Sequence, residues 1–203
     1  MNRPSRYKLA YAAVAGILLT LGMIAAKAMG GTLAAWVAVV LALLMPGRIQ
    51  AYFYRDLIRG RRLLDSGRGD EAVAYFERFL ADLERWPVMR QMLWLSWSIY
   101  TPSAEAMTLN NLGAAWIQVG RMDRARKALD AALSHDPLYP FPHQNLAIIH
   151  AVNGDRDAAA AALKRCHALG HAGESLDAVL AHADGLRASL KAHDRKTRRS
   201  RRR

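Results

Sequence analysis

One repeated spacing constrains this chain more than any other feature of it. Between Leu109 and Cys166 a single pattern is written twice, the copies thirty-four residues apart. Leu112-Gly113, Trp116, Gly120, Ala125, Leu129, Ala132 and Pro137 form the first copy. Leu146-Ala147, His150, Gly154, Ala159, Leu163 and Cys166 answer at the same offsets. A period of that length marks a helix–turn–helix unit that cannot bury its apolar face alone and must stack on a neighbour. Gly113, Ala125 and Ala147 are small where two antiparallel helices cross. Gly120 and Gly154 stand where a left-handed residue ends the first helix of each pair. Pro137 stops the second helix.

Asn111-Leu112-Gly113-Ala114-Ala115-Trp116, followed by Gly120, Ala125 and Asp136-Pro137, resembles the tetratricopeptide repeat family. In the second copy His150 and Cys166 stand where the family has an aromatic residue and an alanine. The resemblance implies an all-α fold, a short solenoid of stacked helix pairs. Gly60, Gly67, Ala72, Phe76 and Phe79 meet the same offsets, so residues 51–84 read as a degenerate first repeat, with Asp70 as the cap of its second helix. Residues 103–169 hold the second and third. The packing positions are then Gly60, Ala72, Leu112, Gly113, Trp116, Gly120, Ala125, Leu146, Gly154 and Ala159. Beyond Gly170 and Gly173, the positions Leu176, Val179, Leu180, Leu186 and Leu190 mark a capping helix over 174–192, as a terminal repeat needs.

From Gly67 to Gly120 is nineteen residues more than one period, which places an insertion at 85–104. It carries Trp86, Trp94, Trp97 and Tyr100 among Met92, Leu93, Leu95 and Ile99, and is too short to cross a bilayer. Three readings stand: an extra element packed on the stack, an interfacial aromatic anchor, or an apolar patch that docks a partner.

The N-terminal end obeys a different solvent. No charge occurs from Leu9 to Ala26, and after Lys27 none from Ala28 to Met45, where Pro46-Gly47-Arg48 closes the run. Each stretch approaches the ~20 apolar residues that a spanning helix needs. Gly30-Gly31 permits only a tight hairpin, so spans over 9–26 and 28–45 are expected to be antiparallel neighbours, with Ala12 and Gly16 allowing close approach. Arg3, Arg6 and Lys8 precede the hairpin; Arg48, Arg55, Arg59, Arg61 and Arg62 follow it; Lys27 alone lies between. The positive-inside rule then puts the basic N-terminus (residues 1–8), the C-terminus and the repeat domain in the cytoplasm. A rival reading makes the first span a signal peptide cleaved at Ala26-Lys27-Ala28; the remaining span still leaves the repeats cytoplasmic. The alanine- and arginine-rich composition points to a bacterial inner membrane.

The formal net charge of +12 belongs to the ends. Residues 63–190 carry fifteen acids against twelve bases, so the body is not a basic nucleic-acid binder. The basic tail over 193–203 has no apolar residue and is expected to be disordered, lying on anionic lipid or, as an alternative function, holding RNA or a ribosome through its arginines. Cys166, the single cysteine, excludes an intrachain disulfide. No phosphate loop, nucleophile elbow or metalloprotease motif occurs, and His167 and His171 lack a third metal ligand. Neither enzymatic activity nor a cofactor is expected.

The resemblance implies that a protein or peptide partner binds the concave face formed by the first helix of each pair. Here that face presents Met107, Asn110, Asn111, Ala114, Phe141, Gln144 and Ile148. Two adjacent asparagines have no helix-propensity reason to be there. Family members that clamp a carboxylate would place basic and amide groups at Leu57, Arg61, Asn111, Phe141 and Asn145; only Asn111 has the expected type. The expected function is that of a membrane-anchored adaptor or assembly scaffold.

Overall fold

The computed structural model describes the backbone of residues 3–95 and 100–200, and the side chains of residues 9–93 and 100–192. Among the described residues there are ten α-helices and no strand. The helices are α1 (Arg3–Ala28), α2 (Leu33–Phe53), α3 (Arg55–Asp65), α4 (Gly69–Arg85), α5 (Val88–Gln91), α6 (Ala104–Gln118), α7 (Met122–His135), α8 (Pro140–Val152), α9 (Arg156–Ala168) and α10 (Leu176–Ser200), with a 3-10 turn at Met92–Leu95.

α1 and α2 form the hairpin. Gly30 and Gly31 both take positive φ, +84° and +66°, and the Thr32 hydroxyl accepts the Ala35 N–H to start α2. The helices meet near the turn: Ala26 and Ala35 are buried, and a Cβ on Gly22 would lie 2.7 Å from Val39 Cγ1. The expected approach at Ala12 and Gly16 is not where they touch, since a Cβ on Gly16 meets nothing within 4 Å. Close to the turn a short loop holds the chains together; farther away nothing does. Leu18, Ile24, Leu41 and Leu44 are each at least half exposed. Leu9–Ala28 and Leu33–Phe53 are each long and apolar enough to span a membrane.

Pro46-Gly47 does not end the second apolar helix. α2 runs through Pro46 to Phe53, so Ala51–Phe53 belong to it and not to the first hairpin of the body. Proline forfeits one backbone hydrogen bond, which a long apolar helix tolerates. The break falls at Tyr54 because its side chain is pulled into the body. Its ring meets Phe79 edge-on at 5.0 Å, and its hydroxyl donates to the Met89 carbonyl at 2.7 Å.

Three helix hairpins follow, α3–α4, α6–α7 and α8–α9, each packed on the next, with α10 against α8 and α9. Their turns use one device. At Gly67, Gly120 and Gly154 the backbone takes φ of +77°, +77° and +85°, and each glycine N–H returns to a carbonyl three residues back. The following residue's N–H reaches five back: Arg68 to Leu63, Arg121 to Trp116, Asp155 to His150. This satisfies the orphaned carbonyls of each helix end. Asp155 Oδ1 then caps α9 at the Ala158 N–H. Asp70 does not cap α4. It lies inside the first turn of a helix that begins at Gly69, and Arg68 outside it pairs with Glu71.

The hairpin interiors are closed by small residues. A Cβ on Gly60 would sit 2.6 Å from the Phe76 ring, and one on Gly113 2.7 Å from Leu129. Ala72, Ala125 and Ala159 are fully buried. Two apolar clusters result. One gathers Leu57, Phe76, Phe79, Leu83, Met89 and Leu112; the other Ile117, Leu129, Leu146, Ile149, Leu163 and Val179. Trp116 packs against both. The insertion joins the first, with Met89 and Leu93 buried and Arg90 paired with Glu105 at 2.5 Å.

α10 extends beyond the expected cap. The backbone stays helical to Ser200, so the tail expected to be disordered from residue 193 is helical over 193–200, and residues 201–203 lie outside the described residues. Lysine and arginine are good helix formers, and positive charge suits a helix C-terminus.

Candidate functional site

A cavity of about 510 Å³ opens where α2 meets the body. Gly47, Gln50 and Ala51 of α2 form one wall, Leu57, Ile58 and Arg61 of α3 the next, and Met107, Asn110 and Asn111 of α6 the third; Tyr54, Leu93, Tyr100, Thr101, Tyr139 and Phe141 complete the lining. Its size falls in the range of ligand pockets. The walls are apolar and aromatic, and among the described lining residues Arg61 carries the only charge. Asn111 Nδ2 is buried and has no hydrogen-bond partner among the described residues. A buried donor left unpaired costs about 1–3 kcal/mol, which an acceptor in the cavity would recover.

The neighbouring polar groups are already committed. Asn110 Oδ1 accepts from Asn145 Nδ2 at 2.9 Å, which ties α6 to α8. Gln50 Nε2 donates to the Met92 carbonyl at 2.9 Å and fastens the insertion to α2. Thr101 Oγ1 accepts the Ser103 N–H. Burial pushes the Tyr139 hydroxyl well above the usual phenol range, with the Arg61 guanidinium pulling the other way. Tyr139 stays neutral, and Arg61 remains the local cation.

Behind Phe141 lies a second layer. Its ring tilts over His171 at 4.4 Å, and Tyr100 meets both rings edge-on at 4.9 and 5.8 Å. Gln144 Nε2 donates to Glu174 at 3.4 Å, which leaves its Oε1 to accept from His171 Nε2 at 3.1 Å. Burial lowers the His171 pKa, and His167 adds to the effect.

Of the groove residues expected from the sequence, Met107, Asn110, Asn111 and Phe141 line the cavity. Ala114 is half-buried on α6 without reaching the lining, Gln144 is held by His171 and Glu174, and Ile148 is buried in the second cluster. The positions compared with a carboxylate clamp behave alike: Leu57, Arg61, Asn111 and Phe141 face the cavity, while Asn145 is spent on Asn110. The expected aromatic patch is not one surface. Trp86 is exposed at the end of α4 with the Arg85 guanidinium 5.6 Å from its ring, whereas Tyr100 is packed on Phe141. The Trp94 side chain and Trp97 lie outside the described residues.

No family model matches the chain, and no curated protein does either. The site therefore rests on its own residues. Sequence reasoning missed Gln50, Tyr54 and Tyr139, which become neighbours only because α2 runs past Pro46. No group of three or more histidine, cysteine or acidic side chains able to hold a metal occurs among the described residues. Burial pushes the Cys166 thiol up to about 11, the state of an inert core thiol.

Proposed function

We propose that this is a membrane-anchored protein of the tetratricopeptide repeat type that binds a protein client at the cytoplasmic face of a bacterial inner membrane, as an adaptor or assembly scaffold and not as an enzyme. The observation that carries this reading is the cavity between α2 and the helical body, with the unpartnered Asn111 amide on its wall. The two exposed apolar helices support the anchoring. The basic residues on both outer flanks of the hairpin support the cytoplasmic placement of the body.

The test is co-purification from mildly solubilised membranes with wild type and with Asn111→Leu and Met107→Glu variants, each shown folded by circular dichroism. A client held by wild type and lost by both variants is the expected result. A client retained by the variants, and lost instead on removing residues 193–203 or raising salt, would overturn this reading in favour of the basic arm.

A further inference from the structure

The cavity also specifies what kind of client it fits. Its position, charge and unsatisfied donor each restrict the occupant, and they agree. One wall is the last two turns of α2, inside the apolar stretch Leu33–Phe53, so the opening lies at the level of the membrane surface if that helix spans. Ile58, Leu93, Met107 and Phe141 supply apolar walls. Arg61 has no acidic partner among the described residues, and no aspartate or glutamate is among the described lining. Asn111 Nδ2 needs an acceptor.

A phospholipid headgroup is held by clusters of basic side chains. One guanidinium beside one neutral amide on apolar walls suits a single carboxylate instead, which arginine engages with two parallel hydrogen bonds. We infer that the cavity takes an apolar segment bearing one aspartate or glutamate, presented next to the bilayer by a client that is itself anchored in the membrane. This rests on the adaptor reading above and adds the client's class to it.

The full-length protein is reconstituted in phosphatidylcholine nanodiscs with synthetic single-span peptides. Their juxtamembrane segments are identical except for aspartate, asparagine or lysine flanked by leucine and phenylalanine. Binding is read by fluorescence transfer from a label on each peptide. The aspartate peptide should bind roughly tenfold or more tighter than the lysine peptide, the worth of one charge-assisted hydrogen bond. Arg61→Glu, at an exposed position that folding does not depend on, should invert that order, and Asn111→Leu should weaken the aspartate peptide alone. Equal binding of all three peptides, or equal binding of the aspartate segment without its span, overturns the inference. So does displacement by phosphatidylglycerol, which would make the occupant a lipid. If no peptide binds while the co-purified client still depends on Asn111 and Met107, this inference falls and the adaptor reading stands. If neither holds, both fall.

Discussion

A methyl group at position 113 has no room. The Cβ of Gly113→Ala would stand 2.7 Å from Leu129 Cγ and Cδ2, and the remaining contact is the Ala125 carbonyl at 3.4 Å. Gly113→Leu should therefore wedge α6 from α7 and cost upwards of ~1–3 kcal/mol, as overpacking does. Thermal unfolding of the full chain in detergent checks it, and an unchanged melting curve would contradict the helix crossing. Arg187 plays the opposite part. Its guanidinium donates to the Val152 carbonyl at 2.8 Å and to the Ala151 carbonyl, closing the end of α8. Arg187→Met should lose about 1–3 kcal/mol, the value of hydrogen bonds from a charged donor. Titration gives a third test. Burial lowers the pKa of both His143 and His171, so as pH falls below about 6.5 the unfolded chain takes up protons before the folded one does. Stability should fall from pH 7 toward pH 5, and His171→Gln should flatten that slope. A slope unchanged by His171→Gln would show that the Tyr100–Phe141–Gln144 cage does not hold a neutral imidazole.

At the scale of elements, what could be read in advance was what single residues decide locally. Gly120 and Gly154 end their helices because the backbone there needs a positive φ, and that requirement is visible in the residue itself. Ser103 was legible as the start of α6 for a similar reason: its hydroxyl accepts the Ala106 N–H at 3.0 Å. What could not be read was decided by packing at a distance. Pro46-Gly47 looks like a stop, but the helix ends where Tyr54 finds Phe79 and the Met89 carbonyl, 25 and 35 residues away in sequence. The cavity was half legible for that reason: Met107, Asn111 and Phe141 follow from the repeat offsets, whereas Gln50 and Tyr139 depend on where α2 stops. α10 divides likewise. Its first half buries Val179 and Ala183 and packs Leu180 and Leu186 on the second cluster; no described side chain from residue 193 onward joins that core. Deleting residues 193–203 should leave the melting temperature in place, and Val179→Asp should lower it sharply by burying an unpaired charge. Equal tolerance of both changes would contradict the docking of α10.

At the scale of the molecule the account makes one claim on which the rest depends. Two exposed apolar helices carry a helical body at one end, and the only polar cavity described at their junction opens beside α2. The body must then share a compartment with the N-terminus, and the Gly30-Gly31 turn must face the other side. Cysteine accessibility decides this directly. In a Cys166→Ser background, Met29→Cys marks the turn and Ala161→Cys marks the body; both positions are exposed. In bacterial spheroplasts expressing the full chain, a membrane-impermeant maleimide should label position 29 at once and position 161 only after permeabilisation. Labelling of position 161 in sealed spheroplasts, or of neither position until the membrane is opened, would contradict a hairpin that spans the membrane and holds its body in the cytoplasm.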